Sequence, residues 1–198
     1  MANTPFFTMP PGDYAPIKTQ SSKPVGKFEI ETRISAARLA GGPLCRVDRD
    51  TSTKNSTETP IIIESLTWAG LIDLGKRSTN IKPMFSVVAT TQMVRLDKLH
   101  GQPFPLKTGT AFGWESTYEV VYVSKILSGP QKVKTSEEIY QYDCQVGESK
   151  PASQIKAGLG GTATALTCTS TSNGESAGAP AVYQWLDSVG CFVSADGL

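Results

Sequence analysis

FEIETRIS, residues 28–35, decides the fold class. Phe28, Ile30, Thr32 and Ile34 alternate with Glu29, Glu31, Arg33 and Ser35. Successive side chains of a strand point to opposite faces, so one apolar row set against one charged row describes a strand that is wet on one side. No stretch of the chain yields an equally clear helical stripe, and no internal repeat is evident.

Residues 1–24, ahead of this strand, hold five of the thirteen prolines, including Pro10-Pro11-Gly12. Proline cannot donate to a sheet ladder, so this segment reads as an extended arm outside a single β domain spanning residues 25–198. Phe6, Phe7, Met9 and Tyr14 make the arm too apolar for a plain tail. They are candidate contacts with the chain's own domain or with a neighbouring subunit.

On the other side of the opening strand, Gly41–Pro43 breaks the chain and a second strand passes through Leu44, Cys45 and Val47. Asp48–Pro60 reads as a polar loop. Residues 61–74 and 85–99 are further strands, and 100–109 is a turn-rich connection. Phe112–Leu127 and Lys132–Val146 form a long hairpin closed by Ser128–Gln131. A strand at 162–170, a turn at 172–174 and a closing hairpin of 181–186 with 191–193 complete the chain. The expected architecture is all-β, a sandwich or open barrel of nine to ten short, mainly antiparallel strands.

A chain of 198 residues can bury a full core without a metal to hold it. Lysine plus arginine number 19 and aspartate plus glutamate 18, a formal net charge of +1. Balanced charge with no long run of either sign argues against long-range capture of nucleic acid or of an anionic membrane. Lys125, Lys132 and Lys134 cluster around a turn and read as a solvated edge. No stretch is long and apolar enough to be a transmembrane helix. The first residues lack the pattern of a signal peptide, so an exported chain would be one whose leader has been removed.

The four cysteines, Cys45, Cys144, Cys168 and Cys191, contain no C-x-x-C pair. Zinc knuckles and thioredoxin-like redox centres need that close spacing, so neither metal nor redox chemistry is expected. An even number of strand-borne cysteines favours disulfides. Of three pairings, Cys144 with Cys168 and Cys45 with Cys191 are preferred, because the first joins neighbouring strands and the second ties the amino-terminal half to the last strand. Disulfides imply an oxidising compartment, periplasmic or extracellular.

Catalytic constellations are sparse. His100 is the single histidine and no G-x-S-x-G elbow is present. Asp48, Asp50 and Ser52 begin like a calcium loop, but Thr53 and Thr59 occupy the positions that require Gly and Glu. Gly158, Gly160 and Gly161 lack the lysine of a phosphate-binding loop. Glu115 and Glu119 share a strand face without a spacing that singles them out. Trp68, Trp114 and Trp185 are candidate ligand-stacking residues, with the core as their alternative place. Asn55-Ser56-Thr57 fits a glycosylation sequon. No cofactor is expected.

FPLKTGTAF (104–112), YQYDCQVG (140–147), GLGGTATALTC (158–168) and YQWLDSVGCF (183–192) together resemble uncharacterised exported bacterial proteins of β-rich fold. In these, a Cys-bearing strand precedes a Gly turn and a second Cys-bearing strand. The resemblance implies a Cys144–Cys168 bridge and export, and it carries no activity. The expected function is a non-catalytic exported β domain with a binding or structural role in the cell envelope, acting on a protein partner or by self-association and not on nucleic acid. Two alternatives stand beside it: a self-assembling subunit whose arm packs on a neighbour's sheet, and a carbohydrate-binding or glycoside-active β protein.

Overall fold

The structure, a computed structural model, describes residues 14–39, 42–54, 56, 59–126 and 128–198. It contains twelve strands: β1 Ile17–Val25, β2 Phe28–Arg38, β3 Leu44–Thr53, β4 Ile61–Trp68, β5 Ile72–Ile81, β6 Phe85–His100, β7 Ala111–Ile126, β8 Lys132–Pro151, β9 Thr162–Ser172, β10 Glu175–Ser176, β11 Ala181–Leu186 and β12 Cys191–Ser194. All lie in one antiparallel sheet, β1-β2-β3-β4-β5-β6-β7-β8-β9-β11-β12, with β10 beside β9.

Along that path each strand pairs with the one before it, so the chain is a meander that curls into a half barrel. The registers show which side chains share its concave face. They run from Ile34 and Ala36 on β2, through Cys45 and Val47 on β3 and Tyr118 on β7, to Tyr142 and Cys144 on β8 and Leu166 on β9. Twisted strands cannot extend flat indefinitely, and curling buries this apolar row.

The curl overlaps itself. Trp185 and Phe192 on β11 and β12 face a core that contains Trp68, Ile72, Phe112, Trp114 and Leu166. Their neighbours Leu186, Cys191 and Val193 point the other way, into a second core with Ile34, Ala36 and Cys45. The closing hairpin is therefore buried on both faces, and the concave side of β2–β3 covers its back. Phe112, Trp114 and Phe192 are each no more than 1% exposed. Burying a side chain of this kind contributes roughly 1.5–3 kcal/mol.

Two disulfides secure the overlap. Cys45–Cys191 joins β3 to β12 across 146 residues, and Cys144–Cys168 joins register partners on β8 and β9. These are the pairings the strand order suggested.

Several expectations change. Ile17–Val25, assigned to the arm, is the edge strand β1; an edge tolerates Pro24 because its outer N–H needs no partner. β3 continues through Asp48 to Thr53, since β2 offers a full-length partner, so the polar loop is shorter than 48–60 and the calcium-like residues lie in a strand. Residues 61–74 are two strands, turned at Ala69 and Gly70, both with positive φ. β8 runs on to Pro151, beyond the expected end at Val146. Twelve strands among the described residues replace nine to ten, and of the two architectures expected, sandwich or open barrel, the single curled sheet is of the open-barrel kind. Phe6, Phe7, Met9, Asn55 and Thr57 lie outside the described residues.

Candidate functional site

The concave face is filled at one end and open at the other. β9 ends at Ser172, which pairs with Tyr140, so β8 continues past its neighbour with only β7 beside it. Above the closed core this leaves a cleft of about 320 Å³. A smaller hollow of about 170 Å³ leads down from it to Gly70 and Phe192, and both share Ile63, Asp73, Lys76, Tyr118 and Tyr142.

Tyrosine dominates the walls. Tyr118 and Tyr122 come from β7, Tyr140 and Tyr142 from β8, and Tyr183 from β11. Strand alternation puts each pair on one face, and the β7–β8 register sets Trp114 opposite Tyr142. The rings form a ladder out of the core. Trp114 stacks on Tyr142 at 4.6 Å, Tyr142 on Tyr140 at 6.3 Å, and Tyr118 meets Tyr140 edge-on at 5.7 Å. These separations lie in the range where aromatic pairs attract beyond simple burial.

Polar groups sit among the rings. The Tyr140 hydroxyl donates to Glu138 Oε2 at 2.8 Å, and Ser136 donates to Glu138 Oε1 at 3.3 Å. Asp73 stands 3.7 Å from Lys76 at the junction of cleft and hollow, with a third of its side chain open. Burial raises the Asp73 carboxyl above its ordinary value, and Lys76 partly opposes the shift. Burial likewise pushes the Tyr118, Tyr142 and Tyr183 hydroxyls up, so they remain neutral donors. The cleft thus offers ring faces, hydroxyl donors and two acidic side chains, Asp73 and Glu138, with Lys76 beside the first.

The tryptophans proposed as a stacking platform are not in this wall. Trp68, Trp114 and Trp185 are 3%, 1% and 2% exposed and belong to the core, their alternative place. Tyr14, a candidate partner contact, packs on its own domain: Arg38 lies 4.3 Å above its ring, and a Cβ on Gly190 would stand 2.4 Å from the same ring. His100, the last residue of β6, pairs with Asp143 at 3.2 Å on the exposed outer face. Glu115 pairs with Lys98, also at the surface. Among the described residues, no group of three or more His, Cys, Asp or Glu side chains is arranged to hold a metal.

Tyr118, Tyr122, Tyr140 and Tyr142 all fall within the hairpin expected from the sequence, where strand alternation alone gives them no further signal. Folding the hairpin about Ser128–Gln131 would have set them on one surface. Nothing in the sequence marks Asp73 or Lys76, which reach the cleft from β5 across the curl. Comparison with protein-family models, curated proteins and solved structures returned no match.

Proposed function

We propose that the chain is a non-catalytic exported β domain that binds a component of the bacterial cell envelope, with the tyrosine cleft as its binding surface. The observation that carries this reading is the convergence of Tyr118, Tyr122, Tyr140 and Tyr142 on one cleft, with Tyr183 in the hollow that leads down from it. Rigid rings supply contact area with little rotamer entropy to lose, and their hydroxyls add directed hydrogen bonds. Two disulfides favour an oxidising compartment, which supports export.

Saccharide is the ligand class that suits these walls. Sugar rings offer C–H faces for aromatic stacking and hydroxyls for carboxylates such as Glu138 and Asp73. A glycan array probed with the full chain and with a Tyr118→Ala/Tyr140→Ala variant tests this. Binding by the native chain that the variant loses supports the reading, and silence of the native chain overturns it.

The self-assembly alternative finds less support. Ile17–Gln20 already pairs with β2. The outward edge of β1 carries Lys18, Lys23 and Pro24, residues that discourage strand addition.

A further inference from the structure

Each turn joining β1 to β2, β5 to β6 and β7 to β8 falls at the same end of the meander, the end beyond which the cleft opens. The registers carry this level across the sheet. Val25 pairs with Phe28, Ile81 with Ser86, and Phe85 with Ile126. The three hairpin tips therefore lie along one rim, the first separated from the other two by the ends of β3 and β4 at Thr53 and Ile61.

That rim is unusually apolar. Val25 and Phe28 stand on the first tip, Ile81, Met84 and Phe85 on the second, Ile126 and Val133 on the third. Each is 42–65% exposed, and together they are half of the fourteen large hydrophobic side chains exposed among the described residues. Scattered single exposures need no explanation, but concentration on one rim does.

The same tips are basic. Lys23 precedes the first turn and Lys27 lies in it, Lys82 lies in the second, and Lys125, Lys132 and Lys134 border the third. Lys23, Lys27, Lys125, Lys132 and Lys134 make no ion pair among the described residues. Glu29, the carboxylate beside the first turn, is already matched by Lys54 at 2.9 Å. A chain of net charge +1 thus holds a local excess of positive charge here.

We infer that this rim docks on an anionic phospholipid bilayer, its apolar tips entering the headgroup layer and its lysines meeting the phosphates. Protein interfaces deplete lysine from their centres, because desolvating an ammonium is expensive. A headgroup layer accepts the mixture: apolar side chains sink below the phosphates while long lysine stems carry their charges back to them. β7 and β8 project past the end of β9 at Ser172, so β9 does not screen the third tip, which stands level with the second.

The test is sedimentation of the full chain with phosphatidylcholine vesicles, and with the same vesicles containing phosphatidylglycerol. The chain is expected to partition onto the anionic vesicles, and less so as salt is raised. Phe28→Ser with Met84→Ser should lower the partition coefficient about tenfold or more. Lys27→Gln with Lys132→Gln should lower it about fivefold per lysine and flatten the salt dependence. Val94→Ser with Val182→Ser, which removes exposed apolar groups away from the rim, should leave binding unchanged, with circular dichroism reporting the fold of every variant. No binding to anionic vesicles overturns the inference, as does binding that the rim substitutions leave intact. Self-association that Phe28→Ser with Met84→Ser abolishes, without vesicle binding, would instead make the rim an interface between copies.

Discussion

Gly70 lies against the backbone of Phe192: a Cβ added to Gly70 would stand 2.1 Å from the Phe192 carbonyl oxygen. Next to it, the Phe192 amide donates to the Ala69 carbonyl at 2.7 Å. The β4–β5 turn thereby clamps the closing hairpin inside the curl. Gly70 also has φ +81, a conformation that penalises any Cβ. Gly70→Ala should therefore destabilise the protein by about 3 kcal/mol or more, from steric displacement plus backbone strain. Urea unfolding checks this, and an unchanged midpoint would mean that the clamp is dispensable.

The two disulfides should contribute unequally. Cys45–Cys191 closes a separation of 146 residues and Cys144–Cys168 one of 24. In the chain-entropy account, the first restrains the unfolded chain by about 5 kcal/mol and the second by about 3. Thermal melts of the paired Cys→Ala variants should rank in that order. The long bridge also holds β12 to β3, so its loss should expose the second core to a hydrophobic dye at temperatures where the Cys144→Ala/Cys168→Ala variant remains closed.

Asp73 and Asp97 should give pH dependences of opposite sign. Burial raises the Asp73 carboxyl in the fold, so the folded chain holds a proton more tightly than the unfolded one, and stability falls as pH rises from the ordinary value of 3.8. Asp73→Asn should accordingly stabilise the protein at neutral pH, with the gain shrinking toward pH 3. Asp97 accepts from Thr117 at 2.6 Å and pairs with Arg95; Thr117 and then Arg95 hold its carboxyl down. Its contribution is present above 3.8 and lost as pH falls below that value, so Asp97→Asn should destabilise slightly at neutral pH only. Denaturant midpoints across pH 3 to 8 would separate the two.

Removing one hydroxyl from the cleft should affect binding more than folding. Tyr140→Phe keeps the ring against Tyr118 and Tyr142 but leaves Glu138 without its 2.8 Å donor. A single part-buried hydrogen bond contributes about 1 kcal/mol to stability, so the melting temperature should fall by only a few degrees. Any glycan found on the array should lose affinity more through Tyr140→Ala than through Tyr140→Phe, because stacking area goes with the ring. Equal losses would place recognition in the hydroxyl.

Fold class was legible from local rules. Alternation over 28–35 and the turn at 128–131 act through neighbours in the chain, and β2 and the β7–β8 hairpin follow from them; the cysteine count allows two bridges in three pairings, and the fold joins Cys45 to Cys191 across 146 residues. Asp48–Thr53 was harder to read. Its polar residues suit a loop locally, and only pairing with β2 makes it a strand. Trp68, Ala69, Gly70 and Leu71 likewise looked like one continuous strand, because a turn whose apolar residues enter the core has no polar signature.

Strand formation, the cysteines available to bridge the strands and a net charge near zero are all legible along the chain. Tertiary structure decided which side chains meet. Curling brought Asp73 and Lys76 from β5 beneath tyrosines of β7, β8 and β11, although tens of residues separate them along the chain. The meander also gathered Phe28, Met84 and Ile126 with their lysines onto one rim, where sequence distance hid both the apolar patch and its charge. The physical reason is that strand periodicity is set by each residue's own backbone, whereas the neighbours across a sheet are set by register and curvature, which the whole chain negotiates at once.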